Sequence, residues 1–399
     1  MRATFFYVLL AFLLLTAASA QSGFQTQSIN LSGRQEQLIS ADLNGDGKPD
    51  LVFFRNAKAA VMLNKGDGSF ADPVVIDSTI TNMQQMQVAD FNNDGIPDLA
   101  GCGTDSGERP HLIIYLNDGS AHFTPSTNVN LACRGLQVGD TNGDGNQDVI
   151  VGALDILFGD GAGGFNGELK QTINVDPTQH PEITGCFATA VRAADFFNNG
   201  RVSLLVTGVC NNPPGQNTID YGTLYAGWND GTAGYTFYEV DESNVTWNFT
   251  GNAIDVDGDG LPDVLMTHRL NQVNGQQVLY AVDIAFNTGD GGFNVVNMFN
   301  LDATNKPATV IFAAASADWD IDGRPDVVVG YMDSGNNAIA MVDGSSNTDW
   351  TVTDIWDPGG EVESVMAGDF NKDGLPDIAA IAIHPDLSTT LLIYSGVMQ

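Results

Sequence analysis

The sequence predicts an all-β fold: a seven-bladed β-propeller of four-stranded blades, its ring closed by the N-terminal strand. Three observations carry the prediction. First, an aspartate-rich phrase recurs seven times along the 399 residues: ADLNGDGKPD from Ala41, ADFNNDGIPD from Ala89, GDTNGDGNQD from Gly139, ADFFNNGRVS from Ala194, IDVDGDGLPD from Ile254, ADWDIDGRPD from Ala317 and GDFNKDGLPD from Gly368. A spacing of roughly 50 to 60 residues belongs to arrays and propellers, whose units cannot bury a core alone. Second, each phrase lies between short apolar, β-branched runs such as LQVGD and DVIVG. It is followed by a second hairpin signature, for instance VMLNKGDGSF from Val61 or DIAFNTGDGGF from Asp283. That makes about four short strands per repeat, with no helical periodicity anywhere. Third, the two ends complement each other. The last repeat stops at LLIYSG, residues 391–396, while SGFQTQSINL from Ser22 matches the outer-strand segment GSFADPVVID from Gly68. The first strand therefore completes the last blade and leaves no free edge. An open β-solenoid is the rival, but its repeats are usually shorter.

Residues 1–20 read as a secretory signal peptide: Arg2, an apolar run from Phe5 to Leu15, then Ala18-Ser19-Ala20 as a cleavage site. Residues 21–399 form one propeller domain. No later stretch is apolar for long enough to span a bilayer, so the expectation is a secreted, extracellular, monomeric protein without membrane insertion. The formal charge of -34, from 15 basic and 49 acidic residues, argues against nucleic acid as a partner.

The acidity is placed rather than spread. Aligned on their leading aspartate, the loops read D-x-[DN]-x-D-G-x-[PQ]-D, with side-chain oxygens at positions 1, 3, 5 and 9 and glycine at position 6. Position 7 varies freely, as expected of a residue offering only its backbone carbonyl. Carboxylates this close repel one another unless a cation lies between them, and an all-oxygen set favours Ca²⁺. About six structural ions are expected. Their ligands are Asp42, Asn44, Asp46, Lys48 and Asp50; Asp90, Asn92, Asp94, Ile96 and Asp98; Asp140, Asn142, Asp144, Asn146 and Asp148; Asp255, Asp257, Asp259, Leu261 and Asp263; Asp318, Asp320, Asp322, Arg324 and Asp326; and Asp369, Asn371, Asp373, Leu375 and Asp377. An EF-hand would need Glu at position 12, where these loops carry Phe53, Gly101, Val151, Met266, Val329 and Ala380. Plain acidic turns without metal are the remaining alternative. In the fourth copy Phe197 and Ser203 stand where oxygen ligands belong, so an ion there is doubtful.

On these residues the chain resembles the FG-GAP or VCBS repeat family, whose relatives include the heads of integrin α chains and some secreted fungal lectins. The resemblance covers essentially the whole mature chain. It implies a seven-bladed propeller with Ca²⁺ in the hairpin joining the first two strands of a blade, and ligands on the opposite face or between blades.

Cys102, Cys133, Cys186 and Cys210 are even in number, so disulfides are expected, with three connectivities open. Cys186 lies nine residues before Asp195 and Cys210 seven after Ser203. They should face each other across the hairpin of the worn repeat and staple it in place of a metal, leaving Cys102 and Cys133 to pair. Zinc is a weaker alternative, since no two have C-x-x-C spacing.

For function, the first reading is a binding module for a glycan or another extracellular protein, lectin-like or adhesive. Trp247 and Trp356, taken to lie in connecting segments, are its candidate stacking residues. The second is an extracellular polysaccharide hydrolase or lyase. His111, His122, His180, His268 and His384 are scattered without a motif, and His268 and His384, following second strands, would be the ones to inspect. Lys65-Gly66-Asp67 resembles an adhesive tripeptide but coincides with a repeat turn. The sequons at Asn30, Asn244 and Asn248 matter only in a eukaryotic host.

Overall fold

The structure is a computed structural model. It describes residues 25–395 apart from 32–36, 56, 78, 132–134, 153, 171–185, 211–220, 230, 232–233, 244, 250–252, 271–279, 302–309, 322, 334–335, 347–348 and 357. The signal-peptide segment, Cys133, His180, Asn244 and Asp322 lie outside the described residues.

Seven four-stranded antiparallel sheets form the ring. Blade 1 spans residues 38–75, blade 2 residues 82–129, blade 3 residues 137–170, blade 4 residues 186–243, blade 5 residues 245–301 and blade 6 residues 310–356. Within each, strands pair in chain order, as short hairpin connections dictate. Blade 7 takes three strands from residues 361–395 and its outermost from Gln25–Leu31, paired from Gln25↔Ser395 through Leu31↔Thr389. The expected closure by the N-terminal strand is thus present, and it satisfies an edge that would otherwise be open to aggregation.

Alternation along the strands explains how the ring holds together. Among the described residues the buried apolar side chains fall into seven clusters, each drawn from two successive blades. In blade 4, Leu204 and Val206 pack against Ile150 and Ile156 of blade 3, while Leu205 between them packs against Phe249 and Met266 of blade 5. A period of two sends neighbouring side chains to opposite faces, so every blade is apolar on both. The clusters come to a full circle where Leu51 and Phe53 of blade 1 meet Ile381 and Ile393 of blade 7. Each fully buried side chain of this kind contributes about 1.5–3 kcal/mol.

The innermost strands surround a central channel of about 540 Å³. Around it, polar side chains tie one blade to the next. Gln37 Nε2 donates to Met86 O (3.0 Å) while its Oε1 accepts from Met86 N (2.8 Å), Leu136 N donates to Gln85 Oε1 (2.7 Å), and Leu38 N donates to Ser364 Oγ (3.1 Å). Arg192, whose burial pushes its guanidinium down to about 10, donates to Phe249 O at 3.3 Å and lies over the Phe249 ring. Glutamines are used here because one amide can both donate to and accept from a facing backbone residue.

Candidate metal centres

The loop between the first and second strands of a blade is built by its first aspartate. Asp42 Oδ2 accepts from Gly47 N (2.8 Å) and Oδ1 from Asp46 N (3.1 Å); Asp90 does the same with Gly95 and Asp94, and Asp369 with Gly374 and Asp373. Position 3 adds a second acceptor for the same amide, as in Asp46 N to Asn44 Oδ1 at 3.1 Å. Position 5 then accepts from the amide of position 7, from Lys48 at 3.1 Å, Ile96 at 2.8 Å and Leu375 at 2.9 Å. These are local side-chain to backbone turns of the kind Asp and Asn favour. The glycine at position 6 takes φ of +75° in Gly47 and +87° in Gly374, a region open to it without strain.

Position 9 differs in kind. Asp50, Asp98, Asp148, Asp263, Asp326 and Asp377 are all buried. Asp263 Oδ2 accepts from Val256 N (2.8 Å) and Oδ1 from Asn287 N (2.8 Å), so one carboxylate joins the loop to the end of the third strand. The same pair of bonds recurs at Asp50 with Leu43 and Asn64, and at Asp98 with Phe91 and Asn117. Burial pushes these carboxyls up, Asp263 to about 7 and Asp377 to about 6, against the pull of their backbone donors; the nearby loop aspartates add to the rise. Asp50, Asp98 and Asp148 move the same way for the same leading reason.

Among the described residues, two loops bring three carboxylate oxygens together. Asp255, Asp257 and Asp263, and likewise Asp318, Asp320 and Asp326, each place one oxygen within 4.8 Å of the other two. In the loops led by Asp42, Asp90, Asp140 and Asp369, position 3 is asparagine. In three of these its amide turns toward the position 5 carboxylate: Asn92 Nδ2 to Asp94 Oδ2 at 2.8 Å, Asn142 to Asp144 at 3.1 Å and Asn371 to Asp373 at 2.9 Å. In the first loop the Lys48 ammonium lies 3.0 Å from Asp46 Oδ2. The donor set of both triads is wholly oxygen and strongly negative, which fits a hard divalent cation. Among the other predicted ligands, Asn146 Oδ1 accepts from Asn93 Nδ2 of blade 2 (2.8 Å).

The loop at Asp195 keeps the turn and loses the ligands. Asp195 still accepts from Gly200 N (2.6 Å) and Asn199 N (3.0 Å), and Asn199 from Arg201 N (3.0 Å). With Ser203 at position 9, the amide at position 2, Phe196 N, turns to Ala194 O instead. A second loss follows one blade on. Elsewhere the asparagine ending the third strand reaches back to the preceding blade, as Asn117 Nδ2 does to Leu43 O (2.8 Å) and Asn229 Nδ2 to Thr141 O (2.6 Å). Asn287 is the corresponding residue of blade 5, and its Nδ2 is buried without a hydrogen-bond partner.

The tryptophans and histidines need correction. Trp247 lies within the innermost strand of blade 5, Val245–Phe249, in register with His268, and Trp356 ends the outermost strand of blade 6, Asp349–Trp356, opposite Ile339. The segments VTWNF and DWTVTDIW alternate polar with branched or aromatic residues, a strand signal that the repeat alignment hid. His268 likewise lies inside its second strand, Val264–Leu270. His384 does follow Asp377–Ile383, where Nδ1 meets Gly359 O (3.0 Å) and Nε2 meets Thr390 Oγ1 (2.8 Å). Cys186 and Cys210 are register partners across the first two strands of blade 4. Cys102 is disulfide-bonded.

Residues 42–101, 255–329 and 318–380 match the FG-GAP-like repeat family. Together with the seven blades, they make the chain an FG-GAP-repeat β-propeller. Among solved structures it is similar to a lectin of Agrocybe aegerita described for its specific recognition of non-reducing terminal N-acetylglucosamine. The TM-score is 0.55 at 17% identity, over 82% of this chain and 81% of that one, a likeness of fold. No curated protein matches the chain.

Proposed function

We propose that the protein is a secreted, calcium-stabilised binding module that recognises a glycan or an extracellular protein. The observation that carries this reading is the division of labour among its carboxylates. The repeated aspartates are committed to the hairpins of one face, where they tie strands together, so they serve the scaffold and leave recognition to other surfaces. The ligands would be positions 1, 3, 5 and 9 of the six intact loops, with Asp255, Asp257, Asp263 and Asp318, Asp320, Asp326 as the most acidic sets. When bound, Ca²⁺ supplies a fixed positive centre that cancels their mutual repulsion. The shared ring of the Agrocybe aegerita lectin supports a glycan as ligand. Among the described residues no helix is long and apolar enough to cross a membrane.

A glycan array probed with and without chelator tests the reading. Binding in Ca²⁺ that is lost in EDTA and restored by Ca²⁺ supports it. A protein that binds no glycan or extracellular protein, or binds equally well in EDTA, overturns it.

A further inference from the structure

The blade whose loop has lost its ligands carries a pocket in their place. Phe197 and Trp228 of blade 4, with Asp290, Gly291 and Gly292 of blade 5, line a cavity of about 460 Å³. Phe197 stands at position 3, the site of Asn44, Asn92, Asp257 or Asp320 in the intact loops. Its ring lies against Gly291, where an added Cβ would come within 2.0 Å of Cε1, so a glycine is required there for the wall to exist. Trp228 occupies the place that Leu116 holds in blade 2, beside the strand-ending asparagine. Trp228 and Phe197 are both partly exposed, and both line the cavity.

Apart from the Trp228 indole, the one polar side chain of this lining is an acceptor, the Asp290 carboxylate. Gly292 N is already given to Asp290 Oδ1 (3.0 Å), and Gly292 O already accepts from Thr288 N (3.0 Å). Thr288 Oγ1 donates to the same Asp290 oxygen at 2.6 Å, which together with the turn amides holds the carboxyl below its usual range and therefore ionised. Asp290 Oδ2 enters none of these bonds. The nearest arginine of the loop, Arg201, packs against Gly231 and does not line the cavity. A neutral sugar needs several directed donors as well as a ring to stack on. Here the indole N–H is the one side-chain donor, beside two aromatic faces and a negative charge, in a protein of charge -34. Aromatic faces with a carboxylate alongside suit a cation of low hydration.

We infer that the Phe197–Trp228–Asp290 pocket binds an organic ammonium group, either a small quaternary amine or a methylated lysine side chain. The site is separate from the glycan reading and stands or falls without it. The test is calorimetric titration in saturating Ca²⁺ with choline, with Nα-acetyl-trimethyl-lysine, with the uncharged choline isostere 3,3-dimethylbutanol and with N-acetylglucosamine. Either ammonium probe should bind, the better of the two showing the source. The isostere should bind about tenfold more weakly. Trp228→Leu, which restores the blade 2 residue, should abolish ammonium binding, and Asp290→Asn should weaken it about fivefold, both at unchanged melting temperature. Should Trp228→Leu fail to fold, Asp290→Asn on the exposed turn carries the test. Absence of binding by both ammonium probes, equal binding of the isostere, or N-acetylglucosamine taking the pocket in a Trp228-dependent way would each overturn the inference.

Discussion

Blades 4 and 5 stand side by side and solve the same problem with different chemistry. In blade 5 four aspartates crowd one loop, and the last of them, Asp263, holds Val256 N and Asn287 N from a buried position. In blade 4 Asp195 and Asn199 hold the turn in the same way, yet Phe197 and Ser203 offer no ligand set. The turn therefore does not need the ion. What needs it is the excess of carboxylates at positions 3 and 9, whose burial and mutual repulsion oppose folding when no cation is present. Blade 4 escapes that cost, and its two strands are aligned so that Cys186 and Cys210 face each other.

The largest effect should come from removing the ions proposed for the intact loops. EDTA should lower the melting temperature by more than about 10 °C, since six sites each adding even ~2 kcal/mol sum to a large share of a domain's stability. Ca²⁺ should reverse the fall better than Mg²⁺, whose octahedral demand suits the loop poorly. Differential scanning calorimetry measures this, and an unchanged curve would remove the calcium reading. Next in size is Asp263→Ala. It strips a buried acceptor from two backbone amides as well as a ligand, and should cost about 3–5 kcal/mol in Ca²⁺ by denaturant titration.

The ring was legible in the sequence because its signals repeat: seven aligned loops, hairpin turns at fixed offsets, and an N-terminal segment shaped like the missing outer strand. The inter-blade core was legible for the same reason, since apolar residues on both faces of a strand require a neighbour on each. The placement of Trp247 and Trp356 was not, because the inner strand of blade 5 and the outer strand of blade 6 fall at repeat boundaries, where no loop anchors the alignment. Nor was the pocket beside Phe197. It depends on Gly291, which is far away in sequence and looks like any other turn glycine until the Phe197 ring of the preceding blade is seen to lie over it. The dual use of position 9, ligand and strand tie together, was also hidden, because the sequence shows an oxygen but not the amides that point at it.

A staple between Cys186 and Cys210, proposed from their register, should contribute less than the proposed ions. Pairing Cys186 with Cys210 encloses about 25 residues, worth about 3.5 kcal/mol in the chain-entropy account. Reduction, or the double change Cys186→Ser and Cys210→Ser, should lower stability by that order even in saturating Ca²⁺. Non-reducing peptide mapping checks the connectivity; linkage of Cys186 to Cys102 or Cys133 would refute the staple.

The metal-free protein should show an inverted response to acid. Asp263 and Asp377 have folded-state values of about 7 and about 6, above the ordinary carboxylate range near 4 that they regain on unfolding. A raised carboxyl binds its proton more tightly in the folded chain. That contribution is whole below about pH 4 and is lost as pH rises through 6 to 7. The carboxyls held low, Asp46, Asp67 and Asp118 among them, titrate below this window. In EDTA the melting temperature should therefore rise as pH falls from 7.5 to 5. In Ca²⁺ the order reverses, since protons then compete with the ion for the same oxygens. A metal-free protein whose melting temperature falls over that window would contradict the burial argument.

The smallest effect separates turn from metal site most cleanly. Asp42 and Asp195 make matching bonds: Asp42 accepts from Gly47 N at 2.8 Å and Asp46 N at 3.1 Å, Asp195 from Gly200 N at 2.6 Å and Asn199 N at 3.0 Å. Both loops are largely exposed, so losing those bonds should cost only about 1–2 kcal/mol in either case. In EDTA, Asp42→Ala and Asp195→Ala should thus be destabilised by similar amounts. Adding Ca²⁺ should then widen the gap between wild type and Asp42→Ala, because one ligand set is broken, and leave the gap for Asp195→Ala where it was. If Asp195→Ala also falls further behind in Ca²⁺, the fourth loop binds an ion after all, and the distinction between the two blades reduces to one of affinity.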